Sequence, residues 1–155
     1  MYSMIYNVVL NSYLRAAGST VNDAAYNFDW SVLPEGKYKL TWVFIGGPCD
    51  MTPLAVLPML EIGLGQSSVF RVDPNNVRAC STNCVGILTP NVLADACYLF
   101  ADLTTNPPIA LASRPGSNTF SARLVTNDAV PLLFLDANGA MLPEYVLTLS
   151  LELVE

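Results

Sequence analysis

Apolar residues at every second position are the clearest pattern in this chain. From Tyr145 to Leu153 every odd-numbered position is apolar, and Thr148, Ser150 and Glu152 lie on the opposite face. Successive side chains of a strand point to opposite faces of its sheet, so this alternation predicts a half-buried β-strand. A helix would need apolar spacings of three and four, which this segment lacks.

Two aromatic-rich segments, residues 26–30 and 37–45, show the same alternation. Between them, Pro34 and Gly36 suit a type II turn, so the two strands join either through this turn or through a corner between two sheets. The aromatic faces are predicted to pack in the core, with a sugar-binding platform as the alternative. These faces contain Tyr26, Phe28, Trp30, Tyr38, Trp42 and Phe44.

Weaker strand patterns, separated by turns rich in proline, glycine and asparagine, occupy much of the remaining chain. Residues 89–96 also suit a short helix, because Thr89 and Pro90 could begin one, and strand and helix both stay open there. The predicted strands are residues 2–12, 57–63, 67–72, 98–103, 108–112, 119–126 and 131–135.

This pattern of many short strands and little helix predicts an all-β fold, an antiparallel β-sandwich. A single jelly roll of about eight to ten strands fits the length best. An immunoglobulin-like sandwich is the alternative, and it ranks second because it usually needs only about 100 residues. No repeat or low-complexity linker divides the chain, so we expect one domain over residues 1–155.

Charge is scarce in this chain, which favours an assembly subunit. Hydrophobic residues make up 52% of the sequence and charged residues 13%, against about 25% charged in an average soluble domain. Such a composition predicts a surface of apolar and small polar groups, which is typical of a protein embedded in an assembly. The few cationic residues are scattered, so we expect no nucleic-acid binding, and no apolar run is long enough for a membrane-spanning helix.

The sequence assigns no catalytic residue and no cofactor. The chain has no histidine, which removes Ser–His–Asp and Cys–His catalysis. A hydrolase with two carboxylates is a minor alternative, because each candidate carboxylate is better explained as a turn or strand-surface residue. The candidates are Asp29, Glu35, Glu61, Asp102, Asp128 and Glu144.

The four cysteines are predicted to be free, buried thiols, although three disulfide connectivities are open. Cys80 and Cys84 have a spacing found in zinc sites, but no second ligand pair accompanies them. The oxygen-rich turns at 73–76 and 136–139 lack calcium-loop spacing. We therefore predict no metal site. The other two cysteines of the chain are Cys49 and Cys97.

Three segments resemble a known family: FDWSVLPEGKYKLTWVF at 28–44, NTFSARLVTNDAVPLLF at 118–134 and LPEYVLTLSLELVE at 142–155. They are similar to minor capsid (cement or penton-like) jelly-roll proteins of large double-stranded DNA viruses and their virophage-like relatives. The resemblance implies a non-catalytic structural subunit of the virion, assembled in the host cytoplasm. Its implied partners are the major capsid protein or further copies of itself. A binding module for carbohydrate or a cell-surface receptor is the alternative function.

The residues predicted to form the assembly interface lie in the terminal and proline-rich segments. Methionine and proline in exposed segments suit adaptable contact surfaces. The predicted interface residues are Met1, Met4, Met51, Pro53, Leu54, Pro107, Pro108, Ile109 and Met141.

Overall fold

The computed structural model of the chain describes residues 3–49, 58–64, 69–73, 76–81, 84–93, 96–104, 106–116, 118–126 and 144–154. These residues form β-strands and two short 3-10 helices, Ser12–Leu14 and Trp30–Val32. The strands are β1 (Met4–Asn11), β2 (Asp23–Asn27), β3 (Tyr38–Cys49), β4 (Pro58–Gly63), β5 (Val69–Asp73), β6 (Asn76–Ser81), β7 (Cys84–Ile87), β8 (Thr89–Leu93), β9 (Ala96–Ala101), β10 (Ile109–Leu111), β11 (Thr119–Thr126) and β12 (Tyr145–Leu153).

Two antiparallel sheets pack face to face and confirm the predicted β-sandwich. The large sheet has the strand order β1-β12-β3-β9-β8, with β10 also paired to β3. The small sheet has the order β2-β11-β4-β7, and β5 and β6 form a separate two-stranded sheet.

The pairing of the strands follows a jelly roll. The first strand, β1, lies beside the last, β12, in the large sheet, and the second, β2, lies beside β11 in the small sheet. One step further in, β12 pairs with β3 and β11 pairs with β4. Strands β1 to β4 therefore alternate between the sheets, and so do β11 and β12, as in the interleaved Greek keys of a jelly roll.

The core lies between the inward faces of the two sheets. On β12, Leu147, Leu149 and Leu151 are fully buried, as the alternation in the sequence predicts. The aromatic faces also point inwards, so the prediction of a core role for them is confirmed for the buried members of the set. Those members are Tyr26, Trp30, Tyr38, Trp42 and Phe44, while Phe28 is partly buried against the same cluster.

The segment between the aromatic strands turns a corner between the sheets and forms no type II hairpin. Strand β2 ends at Asn27 and belongs to the small sheet, whereas β3 belongs to the large sheet. The side chain of Asp29 accepts a hydrogen bond of 2.9 Å from the Ser31 amide and caps the 3-10 helix that begins at Trp30. A strand over residues 26–30 was therefore wrong at its C-terminal end, because capping competes with extension there.

Residues 76–93 also differ from the sequence prediction. Residues 89–93 form strand β8 and not the alternative helix, and β6 and β7 were not predicted. These strands are short and contain turn-forming and small residues, so they carry little alternation. The predicted strand at 131–135 lies outside the described residues. The backbone register sets Cys49 opposite Cys97.

A partly buried polar network ties the two sheets together at one end of the sandwich. The Ser12 hydroxyl donates to Glu144 and accepts from the Tyr145 amide at 2.8 Å. Arg15 donates to Glu144 at 3.0 Å and to the Ser12 carbonyl oxygen. The Tyr26 hydroxyl on β2 donates to the Tyr145 hydroxyl on β12 at 2.7 Å. The hydroxyl, carboxylate and guanidinium groups of this network thus have hydrogen-bond partners, as polar groups removed from water generally do.

Gly86 should be needed for packing, because its backbone lies directly against an indole ring. An added Cβ would lie 1.7 Å from Trp42 Cζ2. Gly86→Ala should therefore destabilise the fold by about 3 kcal/mol through overpacking. Gly116→Ala is the matched control, since nothing lies within 4 Å of its added Cβ. Urea unfolding checks both, and equal stabilities would contradict this packing.

Stability should fall in alkaline solution because of the buried tyrosine pair. Burial raises the pKa of Tyr26 and that of Tyr145 above the ordinary 10.0. Above pH 10 the unfolded chain loses these protons first, so the free energy of unfolding should drop by up to about 1.4 kcal/mol per pH unit for each tyrosine. The Tyr26→Phe/Tyr145→Phe double variant should have a shallower decline. Denaturant titrations at several pH values measure it, and identical slopes would refute the assignment.

Candidate protein-binding surface

The outward face of the large sheet carries an apolar patch. The register aligns Val9 with Thr148 and Val43 in one row across the sheet, and it aligns Val146 with Ile45 in the next row. Val9, Val43 and Ile45 are 62%, 43% and 48% exposed, respectively. We call this surface the outer apolar patch, which consists of Val9, Val43, Ile45, Tyr98, Phe100 and Val146.

Strand β3 creates the patch because its C-terminal half is apolar on both faces. Trp42 and Phe44 fill the core, while Val43 and Ile45 alternate with them and point outwards. Beyond Ile45 the register with β9 shifts at a bulge. Gly47 has a φ of +129°, and an added Cβ would lie 2.9 Å from the Cys97 carbonyl oxygen. Glycine is thus required for this close approach of β9 to β3.

The two aromatic side chains of β9 extend the patch. Phe100 lies opposite Ile45 in the register, and the ring centroids of Tyr98 and Phe100 are 6.3 Å apart. A shallow depression at this end is lined by Asn11, Ile45, Tyr98 and Val146, among others. Aromatic and branched apolar groups around a shallow depression are typical of the central part of a protein interface.

The other end of the same face is polar but electrically balanced. The Ser150 hydroxyl donates to Asn7 Oδ1 at 2.7 Å. Lys39 Nζ lies 3.5 Å from Glu152 Oε2. Lys39 and Glu152 are the only charged residues in the strands of the large sheet as the structure describes them. The strands of the large sheet are therefore especially poor in charged residues, within a chain that has few of them.

The outward face of the small sheet has a different character. Arg123 on β11 lies between Asp23 on β2 and Glu61 on β4. Its guanidinium lies 3.6 Å from Asp23 and 3.5 Å from Glu61. This row places three charged residues on the outward face of the small sheet, although the Glu61 side chain is only 8% exposed.

Each described carboxylate among the catalytic candidates has a local partner. Hydrogen bonds from Ser31 lower the pKa of Asp29, as expected for a capping carboxylate. Asp128 lies outside the described residues. The partners are Ser31 for Asp29, Arg114 for Glu35, Arg123 for Glu61, Thr104 for Asp102 and Arg15 for Glu144.

Four of the predicted interface residues fall on the described part of the chain. Met4 is 59% exposed on β1, and Pro107 and Pro108 are exposed before β10. Ile109 is half-buried and packs against the core. The structure does not gather them into one cluster, because β12 and β3 separate β1 from β10. The other five, Met1, Met51, Pro53, Leu54 and Met141, lie outside the described residues.

The outer apolar patch was missed from the sequence. The alternation over residues 37–45 sets Val43 on the face opposite the aromatic side chains, but no apolar patch was predicted there. The available signal was the loss of polar residues from that face after Thr41, where Val43 and Ile45 follow. Assembling the patch also requires the pairing of β3 with β9, which no local pattern reveals.

The sequence matches no protein-family model and no curated protein. Among the described residues, no group of three or more histidine, cysteine, aspartate or glutamate side chains could hold a metal ion. No helix in this same part of the chain has the length and apolar character needed to cross a membrane.

Lysine substitutions should remove the apolar character of the patch without unfolding the protein. Val43 and Ile45 are exposed, so Val43→Lys/Ile45→Lys should change stability by no more than about 0.5 kcal/mol per site. The fluorescence of the apolar dye ANS bound to the native protein should fall to less than half. Thr41→Lys on the same strand face is the control and should leave dye binding nearly unchanged. Equal dye binding by all three proteins would contradict the surface described.

Proposed function

We propose that this chain is a structural protein of a viral capsid, a minor capsid or cement-type subunit without catalytic activity. Its outer apolar patch binds the major capsid protein or further copies of the same chain. The protein is located in the virion, which is assembled in the host cytoplasm.

The observation that carries the proposal is the exposed, nearly uncharged face of the large sheet. Soluble monomers rarely expose large contiguous apolar surfaces, and such surfaces usually mark sites of protein or membrane binding. Branched apolar and aromatic side chains at its centre, with a polar end beside them, match the anatomy of a protein interface. A subunit that is covered by its neighbours has no need of a charged surface.

The fold supports an assembly role but does not select it alone. Jelly rolls occur in viral capsid proteins, lectins and cupins, and a fold does not imply a function. The choice of a capsid comes from the resemblance of residues 28–44, 118–134 and 142–155. These segments include most of β3 and the whole of β11 and β12, which are central strands of the two sheets.

The alternative of a carbohydrate-binding module has lost the feature that suggested it. A sugar platform requires solvent-facing aromatic rings. Trp30 and Trp42 are 1% and 2% exposed and lie in the core. Tyr98 and Phe100 are half-buried on the outward face, with Asn91 and Thr89 opposite them in the register, so this smaller aromatic pair is what still favours the alternative.

Analysis of purified virus particles tests the proposal. Mass spectrometry of gradient-purified particles from the source of this sequence should recover the chain at a constant ratio to the most abundant shell protein. Val43→Lys/Ile45→Lys should reduce incorporation at least tenfold, whereas Thr41→Lys should be incorporated normally. Absence of the wild-type chain from the particles would refute the capsid role. Normal incorporation of the double variant would refute the role of the patch.

A further inference from the structure

The two sheets differ in how their edges are protected, and the small sheet is covered on both sides. The amide of Ala16 donates to Ala25 on β2 at 2.7 Å, so the segment before β2 covers that edge. At the other edge, the Asn106 side chain accepts from the Ile87 amide at 2.8 Å and donates to the Ile87 carbonyl oxygen at 2.9 Å. The amide of Asn106 thus takes the place of a neighbouring strand beside β7.

The edge of the large sheet at β1 has no such protection among the described residues. Strand β1 has eight residues and pairs on one side with β12. No backbone hydrogen bond joins its other side to any part of the chain that the structure describes. It contains neither a proline nor a charged residue, whereas β8 at the opposite edge contains Pro90. Unprotected edges of this kind are templates for pairing with another strand.

The sequence of β1 is complementary to itself in the antiparallel register centred on Asn7, which pairs seven of its eight residues. When Asn7 lies opposite Asn7 of a second copy, Ile5 lies opposite the other Val9 on the outward face. On the inward face, Tyr6 then lies opposite Val8, and Met4 opposite Leu10. A shift of two residues in either direction sets Ile5 or Val9 opposite a polar residue. The first register thus pairs apolar with apolar and amide with amide, and such cross-strand matches stabilise sheets.

We propose that β1 pairs with β1 of a second copy of this chain, antiparallel about a two-fold axis at Asn7. The pairing joins the two large sheets into one continuous sheet and places the two outer apolar patches on one face of it. It satisfies the unpaired backbone groups of both edges at once. The dimer goes beyond the proposed function and holds whether or not the chain is a capsid protein.

Electrostatics favours a second copy as the occupant of this edge. The chain has a net charge of −6, so two copies repel each other unless they meet where charge is low. Strand β1 is uncharged, and the nearest charges in the sheet, Lys39 and Glu152, compensate each other opposite Ile5. A two-fold axis brings identical groups together, which a neutral strand tolerates and a charged strand does not.

Two variants with charges at the same two sites test both the dimer and its register. In Ile5→Lys/Val9→Glu, each introduced lysine faces an introduced glutamate of the other copy. In Ile5→Lys/Val9→Lys, lysines face each other twice across the axis. Residues 5 and 9 of one chain are about 13 Å apart along the strand, so the contrast between the variants arises mainly between copies. Both sites are exposed, and circular dichroism verifies that each variant is folded.

Light scattering after size exclusion, up to high-micromolar protein, gives the masses. We expect dimers for the wild type and for Ile5→Lys/Val9→Glu, and a monomer for Ile5→Lys/Val9→Lys. A monomeric wild type overturns the proposal, and so do two dimeric variants. Two monomeric variants overturn the register. Failure of the capsid role, measured on particles, leaves these masses unaffected, so the two proposals fail separately.

Discussion

The pairing of β12 with β1 on one side and β3 on the other is the constraint on which this structure depends. Leu147, Leu149 and Leu151 are fully buried, and a shift of one residue would turn them to solvent. The same alternation fixes which side chains of β1 and β3 face outwards. The register of one central strand thus determines the core and the outer apolar patch together. The network of Ser12, Arg15 and Glu144 sits where β12 begins and holds it in place.

The few charged residues are distributed unevenly between the two sheets, and this affects what each outer face can bind. The ion pairs of Arg123 keep the outer face of the small sheet hydrophilic, while the large sheet contains one compensated pair. Exposed ion pairs contribute little stability, with a median of about 0–1 kcal/mol, so this asymmetry does little for folding apart from the buried Glu61 carboxylate. It makes one side of the sandwich suited to solvent and the other suited to a protein partner.

Local sequence patterns predicted the framework of the fold well. The bounds of β11 and β12 agree with the structure at both ends, because a regular alternation of apolar and polar residues identifies half-buried strands in the sequence. The corner after Asn27 was less predictable, since the aromatic alternation continues through Trp30 although the backbone leaves the extended conformation. Strands β6 and β7 were missed because their short sequences hold no clear period.

The surface was harder to predict than the fold. Exposure of Val43 and Ile45 follows from alternation, but their union with Val9 and Phe100 follows from pairing between distant strands. The predicted interface at Met4 and the proline-rich segments rested on residue type alone, and it stays a prediction. Edge protection is likewise a property of pairing, since the role of Asn106 beside Ile87 cannot be read from its local sequence.

Hydroxyl-radical footprinting of the chain, free and in its assembled state, tests most directly whether the large sheet is the binding face. Radical oxidation reports side-chain exposure residue by residue. Tyr98, Phe100 and Ile45 should be oxidised in the free chain and protected in the assembly, while side chains around Arg123 on the small sheet should react equally in both. Protection confined to the small sheet, with the outer apolar patch equally reactive in both states, would contradict the account.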